Sequence, residues 1–163
     1  MEDEVDSIVA AWRSEAPGLD VSPMQVLSRV SRLARHLDLA RRDAFAAHDL
    51  EVWEFDVLAA LRREGEPYEL SPGELTRLTL STSGTMTNRI DRLEAKGLVR
   101  REPNADDRRG VRVRLTEAGA ERASAALADL LAFEHDVLAR VDTATRDQLA
   151  EALRTLLLPF ETR

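Results

Sequence analysis

The chain contains no cysteine. Disulfides, thiolate metal sites and cysteine-based redox sensing are therefore excluded. No run of about 18 apolar residues occurs, so no helix that spans a membrane is expected. The first residues, Met1–Asp6, are acidic where a secretory leader would be basic. His36, His48 and His135 stand at no metal-ligand spacing, so no metal site is expected. There is no glycine-rich phosphate loop and no Gly-x-Ser-x-Gly elbow, and the serines, histidines and aspartates fall in no catalytic grouping. Neither an enzyme nor a cofactor is expected. A reducing, bacterial-type cytoplasm fits these absences.

What is present is charge, unevenly spread. One-third of the 163 residues are charged and the net charge is −7, which by itself argues against a polyanionic partner. The stretch Arg89–Arg114 opposes that total. It holds nine Lys/Arg and five Asp/Glu, a local +4, which leaves −11 for the remainder. An acidic body with one basic edge would orient itself on nucleic acid. A basic surface with no ligand is the alternative on charge alone.

Periodicity predicts a mostly helical chain. Glu4–Ser14 places Val5, Ile8, Val9 and Trp12 at helical spacing. Ser22-Pro23 reads as an N-cap followed by a first-turn proline, opening a long helix to about Ala47 with Leu27, Val30, Ala34 and Leu37 on one stripe. Leu50–Glu64 is a further helix with Trp53, Val57, Leu58 and Leu61 inward, ended by Gly65-Glu-Pro67. Ser71-Pro72-Gly-Glu74 has the capping-box spacing, and Leu75 and Leu78 are expected to anchor the short helix it starts. Ser83–Lys96 follows and stops at Gly97. Leu98–Glu102 and Val111–Leu115 read as two short strands joined by Pro103–Gly110. Thr116 caps a long helix, and Thr143–Phe160 is the last. A short helix, a turn, a polar-faced helix and a hairpin build a winged helix-turn-helix. The fold class expected is mostly α with a small β-hairpin wing. One structural domain is expected, divided into N-terminal extension and dimerisation helices at 1–47, a DNA-binding region at 48–115 and C-terminal dimerisation helices at 116–163. The terminal helices carry more apolar surface than so small a module needs, which points to a homodimer.

In the Ser83–Lys96 helix, Met86, Ile90 and Leu93 share one face and are expected to pack on Leu75 and Leu78. Ser83, Thr85, Thr87, Asn88 and Arg89 are then exposed along its N-terminal part. Small hydroxyls and free N–H groups at a helix start suit phosphates. Asn88 and Arg89 carry groups that suit adenine and guanine edges in bidentate fashion. In the loop, Arg108 and Arg109 have the charge and weak hydration that suit a narrow minor groove. Asp107 reads as an orienting partner for Arg109.

On these residues the chain resembles the MarR family of transcriptional regulators over nearly its whole length. The matching runs are Leu75–Lys96, the segment Arg89-Ile-Asp-Arg-Leu-Glu-Ala-Lys-Gly-Leu-Val-Arg-Arg, the wing Asp107-Arg108-Arg109-Gly110, and Val111-Arg-Val-Arg-Leu-Thr-Glu-Ala-Gly119. The resemblance implies a homodimer on a pseudo-palindromic operator in double-stranded DNA, usually as a repressor. Recognition helices would enter major grooves and wing arginines minor grooves.

A second set resembles the urate-responsive subgroup of that family. Trp12 lies on an added N-terminal helix, Asp56 and Arg63 are seven residues apart on one helix face, and Arg89 lies within the recognition helix. The resemblance implies that Trp12 stacks on or hydrogen-bonds an anionic ligand and that Arg63 pairs with its charge. It also implies that Asp56 reaches the recognition element, through Arg89. The residues fit urate and other planar or carboxylate anions alike. A dimer-packing Trp12 and a structural Asp56–Arg63 network are the alternative. So, for the whole chain, is a winged-helix module that binds protein and not DNA.

Overall fold

The computed structural model describes residues 2–104 and 110–161. Among them the chain forms α1 (Glu4–Glu15), α2 (Met24–Ala46), α3 (Val52–Glu64), β1 (Glu69–Leu70), α4 (Pro72–Leu78), α5 (Ser83–Ala95), β2 (Val99–Pro103), β3 (Val111–Leu115), α6 (Glu117–Leu138) and α7 (Thr143–Glu161). The mostly helical winged helix-turn-helix architecture is as the periodicity predicts. The sheet has three strands, antiparallel in the order β1-β3-β2, and not two. The extra strand pairs Leu70 with Val113 and is two residues long, too short to show a period in sequence.

The helix starts are chemically specified. Asp3 caps α1, with its carboxylate accepting from the Val5 and Asp6 amides. Ser71 caps α4 and Glu74 reaches back to the Ser71 amide, closing the expected capping box. Thr82 caps α5 and Thr116 caps α6. The start of α2 departs from expectation. Pro23, already helical, holds the cap position, no side chain caps the helix, and Asp20 takes the Ser22 amide in a local turn. Helix α3 starts at Val52, two residues late, because Glu51 is its cap and its amide donates to Glu54.

The core gathers around α3. Phe45 of α2 stacks on Phe55 with ring centroids 4.0 Å apart, and Val57, Leu58 and Leu61 are fully buried beneath. Leu75, Met86, Ile90 and Leu93 join the same cluster, so α5 docks on α4 by its apolar face as expected. Leu78 does not take part. It ends α4 and is 41% exposed. The α4–α5 turn passes through Leu80, which is left-handed at φ 50° and almost wholly exposed. Helix α6 meets the sheet through Gly119, where a Cβ would lie 2.1 Å from the Leu98 carbonyl oxygen.

Helix α1 is fastened to α2 by two buried valines, Val5 and Val9, and by charge. The Arg29 guanidinium bridges Asp3 at 2.7 Å and Asp6 at 2.8 Å, and Arg32 pairs with Glu4. Arg29 is the largest influence holding the Asp3 carboxyl below its usual range. Apolar surface is left uncovered elsewhere. Val26, Leu27 and Leu33 of α2 and Leu127 and Leu131 of α6 are exposed, and α7 buries none of its residues.

Candidate nucleic-acid interface and the clefts behind it

Burial of Met86, Ile90 and Leu93 turns the opposite side of α5 outward. Ser83, Thr85, Thr87 and Asn88 are exposed there, as expected, and Arg89 is half-buried. Two hydroxyls also bond locally. Thr82 Oγ1 donates to Thr85 Oγ1 at 2.8 Å, and Thr87 Oγ1 donates to the Ser83 carbonyl at 3.2 Å. The Thr85 amide is itself taken by Thr82 Oγ1 at 3.3 Å, the cap of the helix.

The half-burial of Arg89 has a cause outside α5. Its guanidinium carbon lies 5.3 Å from the Trp53 ring centroid, and that of Arg92 lies 4.8 Å from it. The Trp53 indole N–H donates to Glu51 at 2.6 Å, and Glu51 also pairs with Arg92. These two hydrogen bonds, the indole's first, hold the Glu51 carboxyl below the ordinary range. One turn away, Lys96 Nζ donates to Glu54 at 2.9 Å and to the Asp49 carbonyl at 3.1 Å. The first turn of α3 is thus a cradle for α5.

Most of the local positive charge is already paired. Arg101 bridges Asp91 and Glu94, and Arg112 reaches Glu74 at 2.9 Å and Glu69 at 3.5 Å. Arg100 and Arg114 face each other across β2 and β3. Glu102 lies between them, 2.7 Å from one and 3.4 Å from the other, and offsets the like-charge contact. Asp107, Arg108 and Arg109 lie outside the described residues.

Asp56 and Arg63 share a cleft of about 260 Å³ with Arg41, Phe55, Thr79 and Leu80. Asp56 pairs there with Arg41 at 2.5 Å and does not engage Arg89, which is taken by Trp53. Arg63 enters no ion pair among the described residues. Asp56 also borders a second cleft, of about 520 Å³, that reaches Trp53 and Arg42. Trp12 lines neither cleft. It is half-exposed on α1.

A model of the MarR family matches residues 48–110, a span that begins in the α2–α3 turn and ends just before β3. The HTH-type transcriptional regulator PecS of Dickeya dadantii is 40% identical over 135 residues, covering 83% of this chain and 81% of PecS. The chain belongs to the MarR family. The HTH-type transcriptional repressor NicR of Pseudomonas putida is 36% identical over 112 residues, covering 66% of this chain and 68% of NicR. The fold of a MarR family protein from Bacillus stearothermophilus superposes with a TM-score of 0.74 over 88% of this chain and 99% of that one, at 24% identity. The MarR family comprises transcriptional regulators and not enzymes.

Three residues of this MarR-family chain escape sequence reasoning: Glu51, Trp53 and Glu54. Trp53 reads as a core residue by its helical phase, and it does border the core, but its ring also carries the Arg89 and Arg92 guanidiniums of α5. The available signal is a glutamate at the cap and another three positions on, which marks a fixed helix start next to an aromatic.

Proposed function

We propose that the chain is a homodimeric, sequence-specific repressor that binds a pseudo-palindromic operator and is released by a small anionic ligand. The observation that carries the DNA reading is the outward face of α5, with its hydroxyls, Asn88 and Arg89, set against a core-docked opposite face. Asn88 and Arg89 read base edges, Ser83, Thr85 and Thr87 hold phosphates, and Arg108 and Arg109, oriented by Asp107, enter the minor groove. Residues 48–115 form the reading module. Segments 1–47 and 116–163 pair two copies, setting the recognition helices about one DNA turn apart. The uncovered apolar surface of α2, α6 and α7 supports that pairing. The site of action is the cytoplasm.

The test is a fluorescence titration against the intergenic DNA upstream of the protein's own gene, at two salt concentrations. Binding weakens steeply as salt rises. Asn88→Ala relaxes base preference at one position, at a cost of about 1–3 kcal/mol, whereas Arg109→Ala weakens all duplexes and lowers the salt slope by about one. Binding indifferent to salt and to both substitutions would mark the chain as a protein-interaction module.

The unpaired Arg63 beside Asp56 supports an anion in that cleft, with the Arg41–Asp56 pair opening to admit it. Trp12 joins from its helix once two copies are assembled. Urate is the first probe. It releases the unaltered protein from DNA, and Arg63→Ala abolishes release while leaving DNA affinity intact. The coupling expected is about 1–3 kcal/mol. Equal release of both proteins removes Arg63 from the site, and release of neither leaves a regulator without this effector.

A further inference from the structure

Among the described residues, Glu54 is the only charged side chain that is buried. Its Oε2 accepts from Lys96 Nζ and from the Glu51 amide, both at 2.9 Å, while Oε1 has no partner. Lys96 is the C-cap of α5. Its ammonium also donates to the carbonyl of Asp49, a left-handed residue at φ 54° in the α2–α3 turn. The Asp49 carboxylate lies 3.3 Å from Arg122 of α6. A chain of polar contacts therefore runs from the end of the recognition helix through α3 and the turn to α6.

Stability does not account for this arrangement. A carboxylate taken fully out of water pays several kcal/mol in desolvation, and a buried ion pair is often matched or bettered by apolar residues of similar volume. The pair specifies direction instead. Apolar packing of Met86, Ile90 and Leu93 tolerates small rotations of α5, whereas a hydrogen bond at 2.9 Å from the partly exposed Lys96 ammonium to a carboxylate fixed in the core does not. The lever is long enough to matter. Asn88 lies eight residues from Lys96, roughly 12 Å along the helix, so a tilt of about 10° at the cap moves it by about 2 Å. A hydrogen bond to a base edge does not survive that displacement.

We infer that Glu54 is a positioning residue for DNA recognition, pinning the recognition helix through Lys96 at the angle that sequence discrimination requires. The inference rests on the DNA-binding reading above. It separates by sign from a simple charge effect. Removing an acid next to a DNA-reading helix tightens binding to every duplex if only net charge matters. Loss of a pin weakens binding to the preferred duplex alone.

The experiment uses the full chain. The unaltered protein first selects a duplex from a random-sequence pool, and dissociation constants are then measured for that duplex and a scrambled one. Glu54→Gln is expected to bind the selected duplex about tenfold more weakly and the scrambled duplex unchanged or more tightly. The paired variant Glu54→Leu/Lys96→Met is expected to melt a few degrees below the parent, because the Glu51 amide loses its cap, and to show a similar tenfold loss of discrimination. It loses one cation, so the ratio between the two duplexes is the quantity read. If the paired variant, which has neither donor nor acceptor, folds and keeps that ratio within about twofold, the pin does not exist. A parent protein that enriches no sequence would overturn the DNA-binding reading and this inference together, a result distinct from unchanged discrimination.

Discussion

Replacing Gly119 with alanine is expected to cost about 3 kcal/mol or more, the upper part of the range for overpacking. For a chain of this size the melting temperature falls by roughly 10 °C. The added Cβ lies 2.1 Å from the Leu98 carbonyl oxygen, 2.9 Å from Leu115 Cδ1 and 3.0 Å from the Leu98 carbonyl carbon. Two of these three atoms are backbone and cannot rotate aside. Leu98 is itself held, its amide bonded to Leu93 and its carbonyl accepting from Thr116. The Gly119 amide in turn donates to Thr116 Oγ1, whose hydroxyl donates to Gly97. A clash here therefore pushes on the start of α6 and the end of α5 together. Helix propensity alone argues the opposite way, since alanine gains about 1 kcal/mol over glycine inside a helix. Gly84 provides the comparison. It is inside α5, a Cβ added there would meet nothing within 4 Å, and Gly84→Ala is expected to stabilise. Thermal melts of both variants decide the matter. Equal stabilisation by the two would mean that the close approach at Leu98 relaxes without cost.

The second large effect is expected at the far end of the chain. Leu157→Asp on α7 should separate the proposed dimer and lower operator affinity by about 10²–10⁴-fold, the advantage of two linked reading heads over one. Leu149, Leu156 and Leu157 are all exposed on a helix with no fully buried residue. A charge placed in an apolar interface loses its water without gaining a partner. The same charge on a solvated helix does nothing of note, which makes the substitution discriminating. Sedimentation and operator titration should change together, while the circular dichroism of the α3–α5 module stays as it was. An unaltered dimer with unaltered affinity would remove α7 from the interface.

Helix phase and cap chemistry made much of the fold legible. The spacing of Met86, Ile90 and Leu93, the Ser71–Glu74 box and the stop at Gly97 are local signals, and each specifies an element without help from distant residues. What escaped is non-local. β1 is defined by its pairing with β3, across more than forty residues. Leu78 is apolar and correctly phased but falls at a helix end facing a cleft. Asp56 and Arg63 were readable as neighbours from their seven-residue spacing. The choice of Arg41 as the partner of Asp56 was not, because it depends on how α2 crosses α3. The pairing of Lys96 with Glu54 spans 42 positions and has no sequence signature. Pro23 misled because a proline after serine fits a first turn, while Asp20 competes for the Ser22 amide.

The paired cations of α5 and the β2–β3 strands bear on how such a protein would meet a chromosome. Arg92, Lys96, Arg100, Arg101, Arg112 and Arg114 each already face a carboxylate. A cation so engaged contributes less to counterion release than a free one, so the proposed salt dependence falls chiefly to Arg89, Arg108 and Arg109, and an acidic body repels the rest of the duplex. On the proposed DNA-reading function, weak binding to unrelated duplexes is the expected result, measured as the dissociation constant for a scrambled duplex. Under that reading, few molecules per cell would suffice to keep one operator occupied, because bulk chromosome would not soak them up.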